Sequence, residues 1–108
     1  MRAGALDRRV TLQRATFAPG AFNEPEATWE DLGRPWAAMA AVSDRERHLA
    51  AERGAEITHR FTIRRAYAWA DLNPKDRLLS GGRVYDIEGV KEVDRDALEI
   101  TANARVDQ

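Results

Sequence analysis

The sequence predicts a mainly β fold: a small antiparallel β-barrel or sandwich of six to seven strands, with one short helix in a projecting loop. Three observations lead to this prediction. Short segments alternate apolar and polar residues with the period of a strand, and turn-forming residues separate them at close intervals. The chain has 108 residues, of which 44% are hydrophobic, so it suits one domain with one modest core.

Three strands are predicted in the first part of the chain. Val10 and Leu12 alternate with polar neighbours and indicate a strand over residues 9–16. A short second strand covers residues 28–32. The segment at residues 36–42, WAAMAAV, is apolar on both faces, and its Trp, its terminal Val and the preceding Pro favour a buried strand over a helix turn.

Between the first two strands, residues 17–27 contain Pro-Gly and a second Pro and show no period. We therefore expect an exposed loop there. Phe17 and Phe22 lie in this loop. Two aromatic side chains in one exposed loop indicate either folding back on the core or burial against another chain.

A capping box predicts the helix. Ser43 and Glu46 stand in the S-x-x-E pattern that begins a helix, and Gly54 is the expected residue just after its end near Arg53. The apolar stripe of this helix is narrow, so most of it should be solvated or held by another subunit.

The clearest alternation lies at residues 56–65, where every second residue is apolar or aromatic: Ile57, His59, Phe61 and Ile63. His59 is expected to be a partly buried histidine rather than a metal ligand. The following loop, residues 66–74, carries Tyr67 and Trp69, which would point the same way in an extended chain. These two aromatic residues either mark a subunit interface beside Arg64 and Arg65 or cap the core.

The last third of the chain predicts three consecutive strands. Residues 76–80 lead into Gly81-Gly82, which can close a two-residue hairpin because both glycines tolerate positive φ. Residues 83–90 form the returning strand. After a turn at Asp94-Arg95-Asp96, residues 98–104 alternate strictly between apolar and polar side chains.

Composition excludes several classes of function. The net charge of −1, from 17 basic and 18 acidic residues, gives no overall attraction to nucleic acid or membrane. The sequence has no cysteine and no metal-binding, nucleophile or phosphate-loop motif. We therefore predict that the protein is not an enzyme and has no metal or cofactor. No apolar run is long enough to span a bilayer, and nothing at the N-terminus predicts a signal peptide, so we expect no membrane association and synthesis in the bacterial cytoplasm.

Four segments, taken in order, resemble the phage head–tail joining proteins, also called head-closure or stopper proteins. They are GALDRRVTLQR; Trp29 followed by Arg34-Pro35-Trp36-Ala37; Arg45-Glu46 leading to Ala50 and then ITHRFTIR; and DRLLSGGRVYDIEGVKEVDRDALEI. The similarity covers nearly the whole chain. It consists of packing and turn residues rather than a catalytic signature.

The resemblance implies a single head–tail connector domain over residues 1–108 and a structural protein of a tailed phage, prophage or gene transfer agent. Such a protein forms a ring of six or twelve copies at the head–tail interface, below the portal or adaptor and above the tail terminator or tail tube. Double-stranded DNA in the lumen would be contacted without sequence recognition. The helical segment projects toward the channel in this family, which makes Arg45, Arg47, His48 and Arg53 candidate gate residues. Phe17, Phe22, Tyr67, Trp69, Arg64 and Arg65 are candidate subunit or partner contacts.

Two alternatives remain open at this point. A tail-completion or tail-terminator protein would have a related ring architecture at another position in the particle. A small barrel that binds single-stranded nucleic acid would stack bases on its aromatic side chains, although the neutral net charge weakens this alternative.

Overall fold

A computed structural model describes residues 6–105 of the chain. Its secondary-structure elements, in order, are β1 (Arg8–Pro19), a 3-10 turn (Ala21–Asn23), β2 (Pro25–Gly33), β3 (Trp36–Ala41), α1 (Asp44–Glu52), β4 (His59–Arg64), a second 3-10 turn (Tyr67–Trp69), β5 (Arg77–Ser80), β6 (Arg83–Asp94) and β7 (Ala97–Ala104).

Within these residues the seven strands form one antiparallel sheet in the order β2-β1-β3-β4-β7-β6-β5. An additional pairing joins β1 to β5, so the sheet closes on itself. The predicted mainly β class is therefore confirmed. The core lies inside the closed sheet and includes these fully buried side chains: Phe61, Leu12, Ile63, Leu78, Ile100 and Val10.

The first strand is longer than predicted and has two kinds of surroundings. Its residues 10–13 pair with β5, whereas its outer part pairs with β2 alone, as far as Pro19 opposite Pro25. Residues 14–30, the outer part of this hairpin, are called the β1–β2 arm below. The predicted loop at residues 17–27 is thus wrong: it is mostly β-hairpin. Alternation failed to reveal it because neither face of the arm is buried, and a strand without a buried face needs no apolar period.

The remaining predicted strands are confirmed, with shifted ends. β4 begins at His59, three residues after the predicted start, and β6 continues to Asp94. Gly81 and Gly82 have φ values of 59° and 78°, and Ser80 pairs with Arg83 across them. The chain therefore reverses in the predicted two-residue turn.

The predicted helix is also confirmed as α1, which lies between β3 and β4. Ser43 Oγ accepts a hydrogen bond from the Glu46 amide at 3.2 Å, and Gly54 follows the helix with a φ of 78°. The side chain of Glu46 does not complete the capping box, because its carboxylate binds Arg60 instead. Ala50 is the buried residue of α1, so the expected narrow apolar stripe is confirmed.

Candidate interaction surfaces

The exposed surface of α1 carries charges of both signs, including several arginines. Arg45, Arg47, His48 and Arg53, predicted as gate residues, are all exposed on or beside this helix. None of the three arginines forms an ion pair with a carboxylate of residues 6–105. His48 Nε2 lies 3.5 Å from Glu52 Oε1, one turn further along. The arginine side chains are therefore available to an external anion.

A single polar contact links the side chains of α1 to the sheet in the part of the chain that the structure describes. Arg60 of β4 donates to Glu46 Oε2 at 2.8 Å, and its Nε lies 3.4 Å from Glu99 Oε1 of β7. The hydrogen bond from Arg60 lowers the pKa of the Glu46 carboxyl, and the same bond raises the pKa of Arg60. Both side chains are partly exposed, so this pair orients the helix more than it stabilises the fold.

A cleft of about 510 Å³ separates one side of α1 from the neighbouring ends of β4 and β7. It is lined by Asp44, Arg47, His48, Ala51, Ala55, Glu56, Ile57, Thr58, Asn103 and Ala104. The helix is therefore not closely packed along this side, which agrees with its single buried residue.

The tip of the β1–β2 arm presents aromatic side chains to solvent. Phe17 is 71% exposed and Phe22 is 97% exposed, so neither folds back on the core. Phe22 and Asn23 both have positive φ, at 62° and 63°. Asn tolerates this conformation, but a bulky aromatic residue in it is a steric outlier. Backbone strain of this kind clusters at binding sites.

A buried ion pair anchors the base of the arm. Arg14 donates from Nε and Nη2 to the two carboxylate oxygens of Asp76, both at 3.0 Å, and from Nη1 to Asp71 at 3.0 Å. The side chain of Asp76 is 1% exposed and also accepts a hydrogen bond from the Asn73 amide. The bonds to Asp76 and Asp71 raise the pKa of Arg14 above its usual value.

Sequence reasoning missed this ion pair because 62 positions separate its partners. One signal was present, since Asp76 stands at the predicted start of a strand and Asp is unfavourable in strands. An acidic residue in that position indicates a specific partner.

Arg77 also stacks on Trp29 at the base of the arm. Arg77 Cζ lies 4.0 Å from the centroid of the Trp29 ring, and Arg77 Nε donates to Gln13 Oε1 at 2.8 Å. Gln13 in turn donates to Asp31. Burial lowers the pKa of Arg77, with a smaller contribution from Arg105. The arm is thus anchored to the closed sheet at its base and exposed to solvent at its tip.

The two aromatic residues after β4, Tyr67 and Trp69, do not lie on an extended segment. Residues 67–69 form a 3-10 turn instead of an extended segment, which separates the two rings. Trp69 packs against the core and donates from Nε1 to the Arg64 carbonyl at 2.8 Å. Tyr67 is 99% exposed. Of the two predicted roles, Trp69 caps the core and Tyr67 is available to a partner.

Gly33 makes this position of Trp69 possible. A Cβ at residue 33 would lie 2.4 Å from the Trp69 ring, closer than any real contact. The end of β2 and the indole are therefore in direct contact.

Next to Trp69 lies an apolar cleft of about 450 Å³, lined by Leu6, Pro35, Trp36, Arg64 and Trp69. We call it the Trp36 cleft. The Trp36 ring is 50% exposed, and Arg9 Cζ lies 5.2 Å from its centroid. An exposed tryptophan beside an arginine is a composition typical of protein interfaces.

The two arginines at the end of β4 have different surroundings. Arg64 is exposed and lines the Trp36 cleft. Arg65 donates to the Arg95 carbonyl at 3.1 Å and lies 3.3 Å from Glu92, so it holds the β6–β7 turn. The four residues predicted as one cluster therefore have different contacts. Trp69 packs against the core, Arg65 binds the β6–β7 turn, and Arg64 and Tyr67 are exposed.

His59 lies on the inward side of β4, as expected. Its Nδ1 is 2.9 Å from Thr58 Oγ1, and its ring meets the edge of Tyr85 with centroids 5.4 Å apart. Burial lowers the pKa of His59, and the nearby charges of Arg83, Arg47 and Arg8 lower it further. These surroundings therefore favour the neutral form of His59.

Residues 6–105 contain no group of three His, Cys, Asp or Glu side chains arranged to hold a metal ion. No helix among them is long and apolar enough to cross a membrane.

Comparisons with known proteins agree with this architecture. Protein SF1141 from Shigella flexneri 2a, known from a solution structure, is 29% identical, with 100% of both chains covered and a TM-score of 0.75. A chain from the virion of a native gene transfer agent particle is 22% identical, with 94% of this chain and 96% of that chain covered and a TM-score of 0.62; this likeness shows the fold. No curated protein matches the sequence. A family model described as phage head completion protein matches residues 1–105. The chain belongs to the phage head completion protein family, and its role is a structural one in a phage head.

Proposed function

We propose that the protein forms a ring that closes the DNA-filled head of a tailed phage or phage-like particle and docks the tail. The observation that carries this proposal is the family match, which covers residues 1–105. The ring lies below the portal or adaptor and above the tail terminator or tail tube. Its mechanism is assembly, without catalysis.

The division of the molecule into a part with a buried core and parts that are exposed supports this role. The closed sheet contains the buried core, whereas α1 and the arm tip project from it with little burial. The gene transfer agent chain, which shares this fold, is itself part of a virion. A connector needs a stable body and segments that can contact neighbours without unfolding it.

In this proposal α1 faces the channel. Arg45, Arg47 and Arg53 have no carboxylate partner among residues 6–105, so each can contact a phosphate of double-stranded DNA. Contacts to phosphates retain or guide DNA without reading its sequence. The exposed Tyr67 and Phe17 are available to the proteins above and below the ring.

Deletion of the gene followed by electron cryomicroscopy of the particles tests the proposal. We expect the deletion to yield separate heads and tails, with DNA lost from the heads. Complementation with the intact chain should restore joined particles with added density at the head–tail junction. Density at the distal end of the tail tube, or normal particles without the protein, would contradict the proposal.

A further inference from the structure

We propose that adjacent copies in the ring are joined by insertion of Phe22, at the arm tip of one copy, into the Trp36 cleft of the next. This inference rests on the proposed ring and assigns its subunit contact. The occupant of the cleft is therefore a second copy of this chain.

The arm tip has the properties of an inserted element. Phe22 is 97% exposed in a left-handed conformation that bulky residues avoid. Three backbone hydrogen bonds hold the tip in this shape: from the Gly20 amide to the Glu24 carbonyl at 2.7 Å, from the Asn23 amide to the Gly20 carbonyl at 3.2 Å, and from the Glu24 amide to the Ala21 carbonyl at 3.4 Å. A fixed, exposed aromatic residue binds a partner with a small loss of conformational entropy.

The Trp36 cleft has the size and composition to receive a phenyl ring. A closed apolar cavity of about 150 Å³ holds benzene, and this open cleft has about 450 Å³. Its walls are the rings of Trp36 and Trp69 together with Leu6 and Pro35. Aromatic rings pack edge to face or offset in such surroundings, which adds to the gain from burial.

Charge complementarity favours this pairing over other occupants. From Ala15 to Gly33 the chain has no basic residue and four acidic ones, namely Glu24, Glu26, Glu30 and Asp31. Two arginines lie at the cleft, since Arg64 lines it and Arg9 lies over the Trp36 ring. The acidic arm of one copy therefore meets the basic rim of the next, which also fixes the orientation of the contact.

The positions of the two elements require contact between different copies. About ten residues of β1 separate Arg9, at the cleft, from Pro19, at the arm tip, which is roughly 33 Å of extended strand. Tip and cleft are thus different surfaces of one chain. A contact between unlike surfaces is heterologous, and such contacts form a ring when their rotation closes.

The absence of native cysteine permits a direct test by disulfide cross-linking. Ala21→Cys places a thiol beside Phe22, and Arg64→Cys places one on the cleft rim, so both Phe22 and Trp36 are retained. We expect oxidised particles containing the double variant to give a ladder of cross-linked multimers on denaturing gels. The matched control combines Ala21→Cys with Leu49→Cys, because Leu49 is also exposed but lies on α1, at the other end of β4. The control should stay monomeric.

A third variant separates insertion from mere proximity. Phe22→Gly, added to the Ala21→Cys and Arg64→Cys pair, removes the ring and suits the positive φ. It should leave the melting temperature of the isolated protein unchanged and abolish the ladder. Absence of the chain from purified particles would overturn the proposed function itself. Three other results would overturn only this inference. They are particles that contain the chain but give no ladder with the Ala21→Cys and Arg64→Cys pair, an equal ladder with the Leu49 control, and a ladder that persists after Phe22→Gly.

Discussion

The two halves of β1 differ sharply in their surroundings. Val10 and Leu12 are 1% and 0% exposed and lie in the closed part of the sheet. Phe17, five residues further along the same strand, is 71% exposed and belongs to a segment that pairs with β2 alone. One continuous strand thus contributes first to the core and then to an exposed arm.

This difference shows that backbone hydrogen bonding can define the shape of a segment whose side chains are not buried. The arm has a complete antiparallel ladder with β2, yet almost no buried side chain between Thr16 and Thr28. Its shape is defined, but its contribution to global stability is small, since burial supplies most of the stability of a domain. We therefore expect substitutions in the closed sheet to change stability and those in the arm to change assembly.

The largest loss of stability is expected at the boundary between the two halves. Asp76→Ala removes a buried carboxylate that accepts two hydrogen bonds from Arg14 and one from the Asn73 amide, and loss of these charge-assisted bonds costs about 3 kcal/mol. Asp71→Ala is the matched control, because Asp71 binds the same guanidinium but its side chain is 73% exposed. Urea unfolding should give at most about 1 kcal/mol for the control. Equal losses in the two variants would show that burial does not distinguish these contacts.

The Gly81-Gly82 turn tests the closed sheet itself. A Cβ at either residue meets nothing within 4 Å, so any cost comes from positive φ alone. Replacing both with valine should lower the free energy of unfolding by about 2 kcal/mol or more. Gly89→Ala is the control, since its Cβ would also enter open space but its φ is not positive. An unchanged melting temperature in the double variant would contradict the assigned turn geometry.

Shortening the arm should have a much smaller effect. Thr16 and Thr28 are paired, so residues 17–27 can be replaced by an Asn-Gly turn without a change of register. Because the deleted residues are exposed or, at Gly20, half-buried, the free energy of unfolding should change by less than about 1 kcal/mol. Thermal unfolding measures this. A loss comparable to that of Asp76→Ala would show that the arm is part of the core after all.

The smallest effect concerns pH and the inward face of β4. The pKa of His59 is lowered below its ordinary value of 6.5 in the folded state. The unfolded chain therefore binds more protons as the pH falls through 6.5, and the fold loses stability there. Replacing His59 with Gln should reduce this loss, measured by urea unfolding at about pH 7.5 and about pH 5.5. An identical pH dependence in the variant would exclude His59 as its cause.

The sequence allowed correct prediction of the elements that have one buried face or a specific local signal. The alternation of β4 and β7 follows from burial on one side, the Gly81-Gly82 turn from its positive φ, and α1 from the Ser43 cap. Each of these signals acts over a few residues.

Features that join residues far apart in the sequence, or that have no buried face, could not be predicted from local patterns. The arm has no apolar period because both of its faces are exposed. The Arg14–Asp76 pair joins residues that only the closed sheet brings together. The direction of Trp69 depends on contact with Gly33, a residue on another element. The candidate surfaces were therefore predictable residue by residue, but their grouping required the fold.

The most direct test replaces α1, Asp44–Glu52, with a Gly/Ser linker of equal length. The quantity measured is the amount of DNA that heads assembled with this variant retain. Ala50 is the buried residue lost, so the stability should fall by only about 1 kcal/mol. A triple variant, Arg45→Gln with Arg47→Gln and Arg53→Gln, keeps the helix and removes its three positive charges. We predict a melting temperature lowered by only about 4–8 °C with the linker and unchanged with the triple variant. DNA should leak from heads that carry the linker, with a smaller, salt-sensitive leak with the triple variant. Full DNA retention with the linker, or a large loss of stability, would contradict the proposal that α1 faces the channel and retains the DNA.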